Sequence, residues 1–265
     1  MKINCVTLLS TFLGVSLAQE TATECGQTIN SNQGAIEYKW HEPYEANELC
    51  VFIIRTQNVT GITITLFDHG ISDSDPEAIT ILGFNETGLV VSTHVGPPEW
   101  FPTRSIDATH AVVIFKTNTS LGTGFRMTYI ADRFPSETLL ADDRVFNNAT
   151  HNELTLPLET NYIRQPHTNI LVMTDEAKLI TDPDTALKLT VWENLYGCGD
   201  YLMIYKFDET NEASFVARLC GGNSNGDVFQ TKGIFIVLFY KLTTGIKMAE
   251  LNWEKVLTNE TTFHF

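Results

Sequence analysis

Nearly every periodic segment of this 265-residue chain alternates apolar and polar residues with a period of two, as in Ile62-Thr63-Ile64-Thr65-Leu66, Phe125-Arg126-Met127-Thr128-Tyr129-Ile130 and Leu187-Lys188-Leu189-Thr190-Val191-Trp192. Successive side chains of a strand point to opposite faces, so this pattern specifies strands that bury one face each. Turn-forming clusters separate them: Ser72-Asp73-Ser74-Asp75-Pro76, Gly96-Pro97-Pro98, Thr181-Asp182-Pro183-Asp184 and Gly221 to Asp227. Short strands with turns roughly every ten residues predict an all-β chain, a sandwich or a barrel. Only Ser136 to Arg144 has helical spacing, through Glu137, Leu139, Leu140 and Asp142.

The length suits two domains of ordinary size, and an internal echo supports that count. Val112-Val113-Ile114-Phe115 followed by Gly124-Phe125-Arg126-Met127-Thr128 is repeated as Ile236-Val237-Leu238-Phe239 followed by Gly245-Ile246-Lys247-Met248-Ala249. The expected division is therefore a first sandwich over 19–131, a linker over 132–145, a second sandwich over 146–256 and a tail over 257–265.

Residues 1–18 read as a secretory signal peptide. Lys2 supplies the positive charge, Ile3 to Val15 a short apolar run broken by Asn4, Ser10 and Thr11, and Ser16-Leu17-Ala18 a small-x-small cleavage site. The longest later apolar run, Ile234 to Tyr240, is bounded by Gly233 and Lys241 and reads as a buried strand, far short of the roughly 20 residues that span a bilayer. A released, extracellular protein without a membrane anchor is expected. Of the five cysteines, the leader removes Cys5. The remaining four allow three pairings, of which the local one, Cys25 to Cys50 and Cys198 to Cys220, is the economical choice. Each such loop contributes about 3 kcal/mol in the chain-entropy account. Zinc is the poorer reading, since there is no Cys-x-x-Cys. Asn58, Asn85, Asn118, Asn148 and Asn259 head N-glycosylation sequons.

A formal charge of −15 disfavours nucleic acid and anionic lipid as partners and suits a basic protein instead. The seven histidines are scattered, and His41-Glu42-Pro43 starts like a zinc-protease motif only to meet a helix breaker. No nucleophile elbow and no phosphate-binding glycine loop is present. The acidic pairs Asp73/Asp75 and Asp182/Asp184 lack the other ligands of a calcium loop and read as turns. A non-enzymatic chain is expected, and the aromatic residues Trp100, Tyr196 and Trp40 are the candidate ligand contacts, with core packing as the alternative for each.

The order of these features resembles the CUB family. In 25–131 the resemblance rests on Cys25-Gly26, Gly34-Ala35-Ile36, Tyr44, Cys50-Val51-Phe52-Ile53, Leu66-Phe67, Val113-Ile114-Phe115 and Gly124-Phe125. In 146–256 it rests on Cys198-Gly199-Asp200-Tyr201, Leu219-Cys220-Gly221, Val237-Leu238-Phe239 and Gly245-Ile246. The resemblance implies two CUB-like jelly-roll sandwiches in tandem, acting as a protein-binding module. Each copy departs from the pattern by one disulfide: Asp75 and Val95 stand where the first copy's second pair belongs, and Ile170 or Leu171 where the second copy would have another cysteine. The resemblance also implies calcium in a subset of members. Glu193 and Asp200 stand near the expected positions, but Lys241-Leu242 replace the last acid, and in the first copy Asp68 and Glu77 are followed by Asn118, which heads a sequon. No cofactor or metal is therefore expected, with calcium as the alternative. Two other functions stand beside the main one: a carbohydrate or small-ligand carrier using Trp100 and Tyr196, and a regulator of a secreted protease.

Overall fold

A computed structural model describes residues 20–57, 59, 61–95, 103–119, 121–131, 140–149, 152–158, 166–195, 197–222, 226–243 and 248–258. In chain order the first half contributes β1 (Glu20–Ala22), β2 (Thr28–Asn30), β3 (Gln33–Pro43), β4 (Leu49–Arg55), β5 (Ile62–His69), β6 (Ile79–Asn85), β7 (Gly88–Val95), β8 (Thr103–Ile106), β9 (His110–Lys116) and β10 (Thr123–Ala131). The second half contributes β11 (Leu140–Ala141), β12 (Arg144–Phe146), β13 (Asn152–Leu156), β14 (His167–Met173), β15 (Thr185–Glu193), β16 (Tyr201–Phe207), β17 (Ala213–Leu219), β18 (Asp227–Thr231), β19 (Ile234–Lys241) and β20 (Ala249–Leu257).

These strands build four sheets in the orders β1-β3-β10-β5-β8, β2-β4-β9-β6-β7, β11-β14-β19-β16-β17 and β13-β20-β15-β18, with β12 also on β14. The chain is thus all-β, two antiparallel sandwiches in tandem. The second copy repeats the strand order of the first, β13-β20-β15-β18 matching β3-β10-β5-β8 and β14-β19-β16-β17 matching β4-β9-β6-β7. Register carries the match to single residues: Ile62 lies opposite Ala131 and Ile106, as Leu187 lies opposite Lys255 and Thr231. The same register equates Met127 with Leu251, three positions beyond the Met248 that the sequence echo suggests.

The helical spacing of Ser136 to Arg144 is overridden. Leu140–Ala141 and Arg144–Phe146 are strands parallel to β14, and 136–139 lie outside the described residues. An unpaired sheet edge offers backbone partners to a passing segment, and propensity over so few residues is weak against that. Part of the segment read as a linker therefore extends the second sandwich.

Each sandwich has its own core, around Tyr38, Phe52, Phe115 and Phe125 in the first and Leu189, Phe235, Phe239 and Trp253 in the second. A third cluster belongs to both. Cys50, Phe52 and Ile54 of β4 face the first core, while Leu49, Val51 and Ile53 between them face Ile170, Val172, Ile234, Ile236 and Leu238 of the other copy. The two middle sheets stack face to face, so β4, β9 and β14 are buried along their whole length. This is why these strands read as apolar runs while β5 and β15 alternate.

Polar contacts frame this dry face. At the end of β4, Arg55 clamps Asp143 through Nε at 2.5 Å and Nη2 at 2.7 Å, and also donates to the Thr168 carbonyl at 3.1 Å. At the opposite end of β9, Lys116 donates to the Glu209 carbonyl at 2.8 Å and to Asn211 Oδ1 at 2.6 Å. Tyr201 donates to the Glu86 carbonyl, and Tyr205 Oη accepts from Leu89 N at 3.1 Å. Gly88 is needed here, because at its φ of 114° a Cβ would come within 2.3 Å of Tyr205 Oη.

Cys25 is bonded to Cys50 and Cys198 to Cys220, with Cα atoms 5.3 and 4.8 Å apart. Polar groups stand where each copy lacks its second bridge. Asp75, the counterpart of Cys198, accepts from Asn118 N at 2.8 Å, Thr119 Oγ1 at 2.6 Å and Tyr44 Oη at 3.0 Å. Register puts Asn169, not Ile170 or Leu171, at the counterpart of Cys50. Its amide donates to the Asp142 carbonyl at 2.6 Å, tying β14 to the segment before β12.

Removing one member of a buried ion pair leaves the other uncompensated. Arg55→Ala is expected to cost about 3–5 kcal/mol in urea unfolding, and Arg55→Met combined with Asp143→Leu to cost less than the single change. Equal or smaller loss in the single variant contradicts this account of the joint.

Candidate functional site

Three groups of chemistry-bearing residues stand out. The first is the buried cluster at the joint. Thr109 Oγ1 lies 2.7 Å from His110 Nδ1, and His110 Nε2 lies 3.9 Å from Asp143 Oδ2, an order reminiscent of a hydroxyl, base and acid relay. Its surroundings defeat that chemistry. Asp143 is held by Arg55 and by Ile170 N at 2.6 Å. Burial, then the Arg55 guanidinium, push His110 down to about 3, leaving a poor base at neutral pH. Burial raises Asp143, but the Arg55 charge and the donors around it prevail and hold the carboxyl below its ordinary range. His110 and Asp143 are both buried where the two sandwiches meet. The cluster is a joint.

The second group is the set of acids at the loop ends. Asp68 accepts from Trp40 Nε1 at 2.8 Å, and Glu77 accepts from Asn211 Nδ2 at 3.2 Å across the joint. Asp200 is fully buried and accepts from Leu242 N and Thr243 N, both at 2.9 Å. Glu193 accepts from Leu195 N at 2.6 Å, and the fully buried Lys241 donates to the Thr243 carbonyl. Among the described residues, no three His, Cys, Asp or Glu side chains gather as a metal site.

The third group lies on the outer faces. In the first copy the Arg126 guanidinium sits 5.0 Å from the Trp40 ring and 5.3 Å from the Phe67 ring, and its Nε lies 2.9 Å from Glu37 Oε1. Phe67 is half exposed. In the second copy Trp192, Met248, Thr155, Asn194 and Glu250 line an open cleft of about 180 Å³. Gly226 backs the indole: its φ is 92°, and a Cβ there would lie 2.8 Å from Trp192 Nε1. Glu250 shares a hydrogen bond with Glu153, which raises its carboxyl above the ordinary range.

Trp100 and Tyr196 lie outside the described residues, as do Asn58 and Asn259. Asn148 and Asn118 are both exposed, Asn118 beside Lys116 and Asn211. Asn85 Oδ1 accepts from both Thr87 N at 2.8 Å and Thr87 Oγ1 at 2.7 Å, closing its sequon into a turn. Arg126, Phe67 and Trp192 were not singled out by sequence. Their signal is an aromatic at a solvent-facing position of an alternating strand, where a polar residue is expected.

No protein-family model matches this chain, and no curated protein does. Among solved structures it is similar to the CUB1-EGF-CUB2 domain of human MASP-1/3, at 11% identity and a TM-score of 0.32, covering 85% of this chain and 100% of that one. The corresponding rat MASP-1 domains give 12% identity and a TM-score of 0.31, covering 89% and 100%. The full extracellular region of zebrafish Gpr126/Adgrg6 gives 10% and 0.31, covering 90% of this chain and 38% of that one. These likenesses are too distant to carry an argument. What the geometry defines is a class: a tandem all-β sandwich with a buried joint and two solvent-facing sheets.

The joint has a pH signature. His110 is neutral when folded and titrates near 6.5 when unfolded, so unfolding takes up a proton between pH 6.5 and about 3. Stability is full above 6.5 and falls as pH drops through that window, by up to about 1.4 kcal/mol per pH unit for one proton. Asp143, depressed when folded, adds loss in the same direction at the acid end. Urea midpoints measured from pH 7 to 3 are expected to show this fall, and His110→Gln to flatten it. An unchanged slope in that variant shows that another group is responsible.

Proposed function

We propose that the chain is a secreted, non-enzymatic protein-binding module. The observation that carries this reading is the use of the sheets. Both inner faces are consumed by the shared core, which holds the two outer faces in fixed relation, each with a partly exposed aromatic at the end of an equivalent strand. Recognition by loops and side chains on rigid sheets loses little entropy on binding. The two disulfides, the sequons at Asn85, Asn118 and Asn148, and the signal-like residues 1–18 support an extracellular, glycosylated protein. The CUB-like order of residues supports the same role, and the charge of −15 favours a basic partner. A cleft of about 180 Å³ is small for the pockets of roughly 300–1,000 Å³ that enclose small ligands, which weighs against a carrier.

Recognition on this reading is metal-independent, because the buried Lys241 stands where the resemblance puts an acid. Calcium titration by calorimetry is expected to give no binding heat, and melting temperatures to agree with and without chelator. Micromolar to millimolar binding with a raised melting temperature overturns metal independence. The module itself is tested by capture from extracellular fluid on the immobilised mature chain, followed by calorimetry with the purified captured protein. Saturable binding at micromolar affinity or better is expected. Turnover of a substrate, or no protein that binds saturably once purified, overturns the reading.

A further inference from the structure

The two copies treat the same outer position in opposite ways. Register equates Arg126 with Glu250 and Glu37 with Thr155, since Arg126 pairs with Glu37 in the first copy and Glu250 with Thr155 in the second; Trp192, opposite Glu250, takes the place of Asp68, opposite Arg126, with Phe67 the bulged residue beside it. In the first copy the chain's own guanidinium lies against the aromatic rings, fixed by Glu37. In the second copy the cation is replaced by a carboxylate and its anchoring acid by Thr155. Among the described residues, no Lys or Arg lines the cleft beside Trp192. Trp192 and Met248 keep 38% and 41% of their surfaces exposed, and Glu153, diagonal to Glu250 across the β13–β20 pair, shares a hydrogen bond with it. Lys188, on the same face of β15, is paired with Glu254 at 2.5 Å.

We propose that the Trp192 cleft is a docking site for an arginine side chain of a partner protein, received between the indole and the Glu250 carboxylate. The first copy shows the same fold position holding a guanidinium with its own residues. A guanidinium stacks on aromatic faces and pairs with carboxylates through its fixed fork of donors, which an ammonium does not reproduce. The Glu153–Glu250 like-charge contact is relieved when a cation enters, and Gly226 leaves the indole space to lie against the loop behind it. The inference deepens the protein-binding reading and rests on it for its biological sense, but a titration decides it independently.

The probe is a capped Gly-Arg-Gly peptide, with its citrulline counterpart as control, followed through the tryptophan indole resonances of the full mature chain. Trp192→Phe assigns the relevant signal, and the buried Trp253 indole, which donates to the Asn148 carbonyl, reports that each variant is folded. A saturable shift confined to Trp192 is expected, in about the millimolar range for a single side chain. Citrulline is expected to leave it unmoved, and Glu250→Arg, which recreates the first copy's arrangement, to weaken binding at least about tenfold. Glu250→Gln should weaken it less. A silent Trp192, an equal response to citrulline, or full binding by a folded Glu250→Arg variant overturns the proposal. A captured partner that binds wild type and Glu250→Arg equally removes this site while leaving the module; a responsive Trp192 with no partner captured does the reverse.

Discussion

The stacking of β4, β9 and β14 with β19 across the middle of the molecule is the interaction on which the rest of the structure depends. Ordinary tandem modules meet through modest, rather polar contacts and move relative to each other. Here the two copies share a cluster as dry as either core, from Leu49, Val51 and Phe84 on one side to Tyr205, Ile236 and Leu238 on the other. Burying each such side chain is worth roughly 1.5–3 kcal/mol. Neither inner sheet can face water without exposing a continuous apolar surface, so the two sandwiches are partners in a single four-layer body.

A dry sheet-on-sheet contact sets no unique alignment by itself, and the polar groups at its margins do so. Arg55 and Asp143 are worth little as net stability, since both are desolvated, but any other alignment leaves two buried charges unpaired. Lys116, buried and pushed below its ordinary range by desolvation against the pull of Asp208, Glu209 and Glu77, performs the same service at the other end of β9. Gly88, Tyr201 and Tyr205 close the β6–β7 side.

The same exchange of covalent for polar ties runs through the individual copies. Each has one disulfide, and where the other copy carries its bridge there is a buried hydrogen-bonded group: Asp75 opposite Cys198, Asn169 opposite Cys50. The inner faces have become alike because they bury each other. The outer faces are free of that constraint, and there the copies diverge in charge, with Arg126 over Phe67 in one and Glu250 beside Trp192 in the other.

The sequence by itself determined the all-β class, the doubling and the local cysteine pairs, because period-two alternation, turn clusters and repeat spacing are local properties of the chain. It also marked β19 as a buried run. It gave helical spacing to Leu140 to Arg144 and shifted the repeat by three residues at Met248, both places where pairing with a distant strand decides the outcome. Only the tertiary structure decided that the continuous apolar strands bury a face against the other copy, that Asp143 leaves a presumed linker to meet Arg55, and that Arg126 and Glu250 occupy the same position with opposite charge. Those facts depend on which residues, far apart in sequence, share a face and a register, and hydropathy read along one chain carries no information about the partner across the interface.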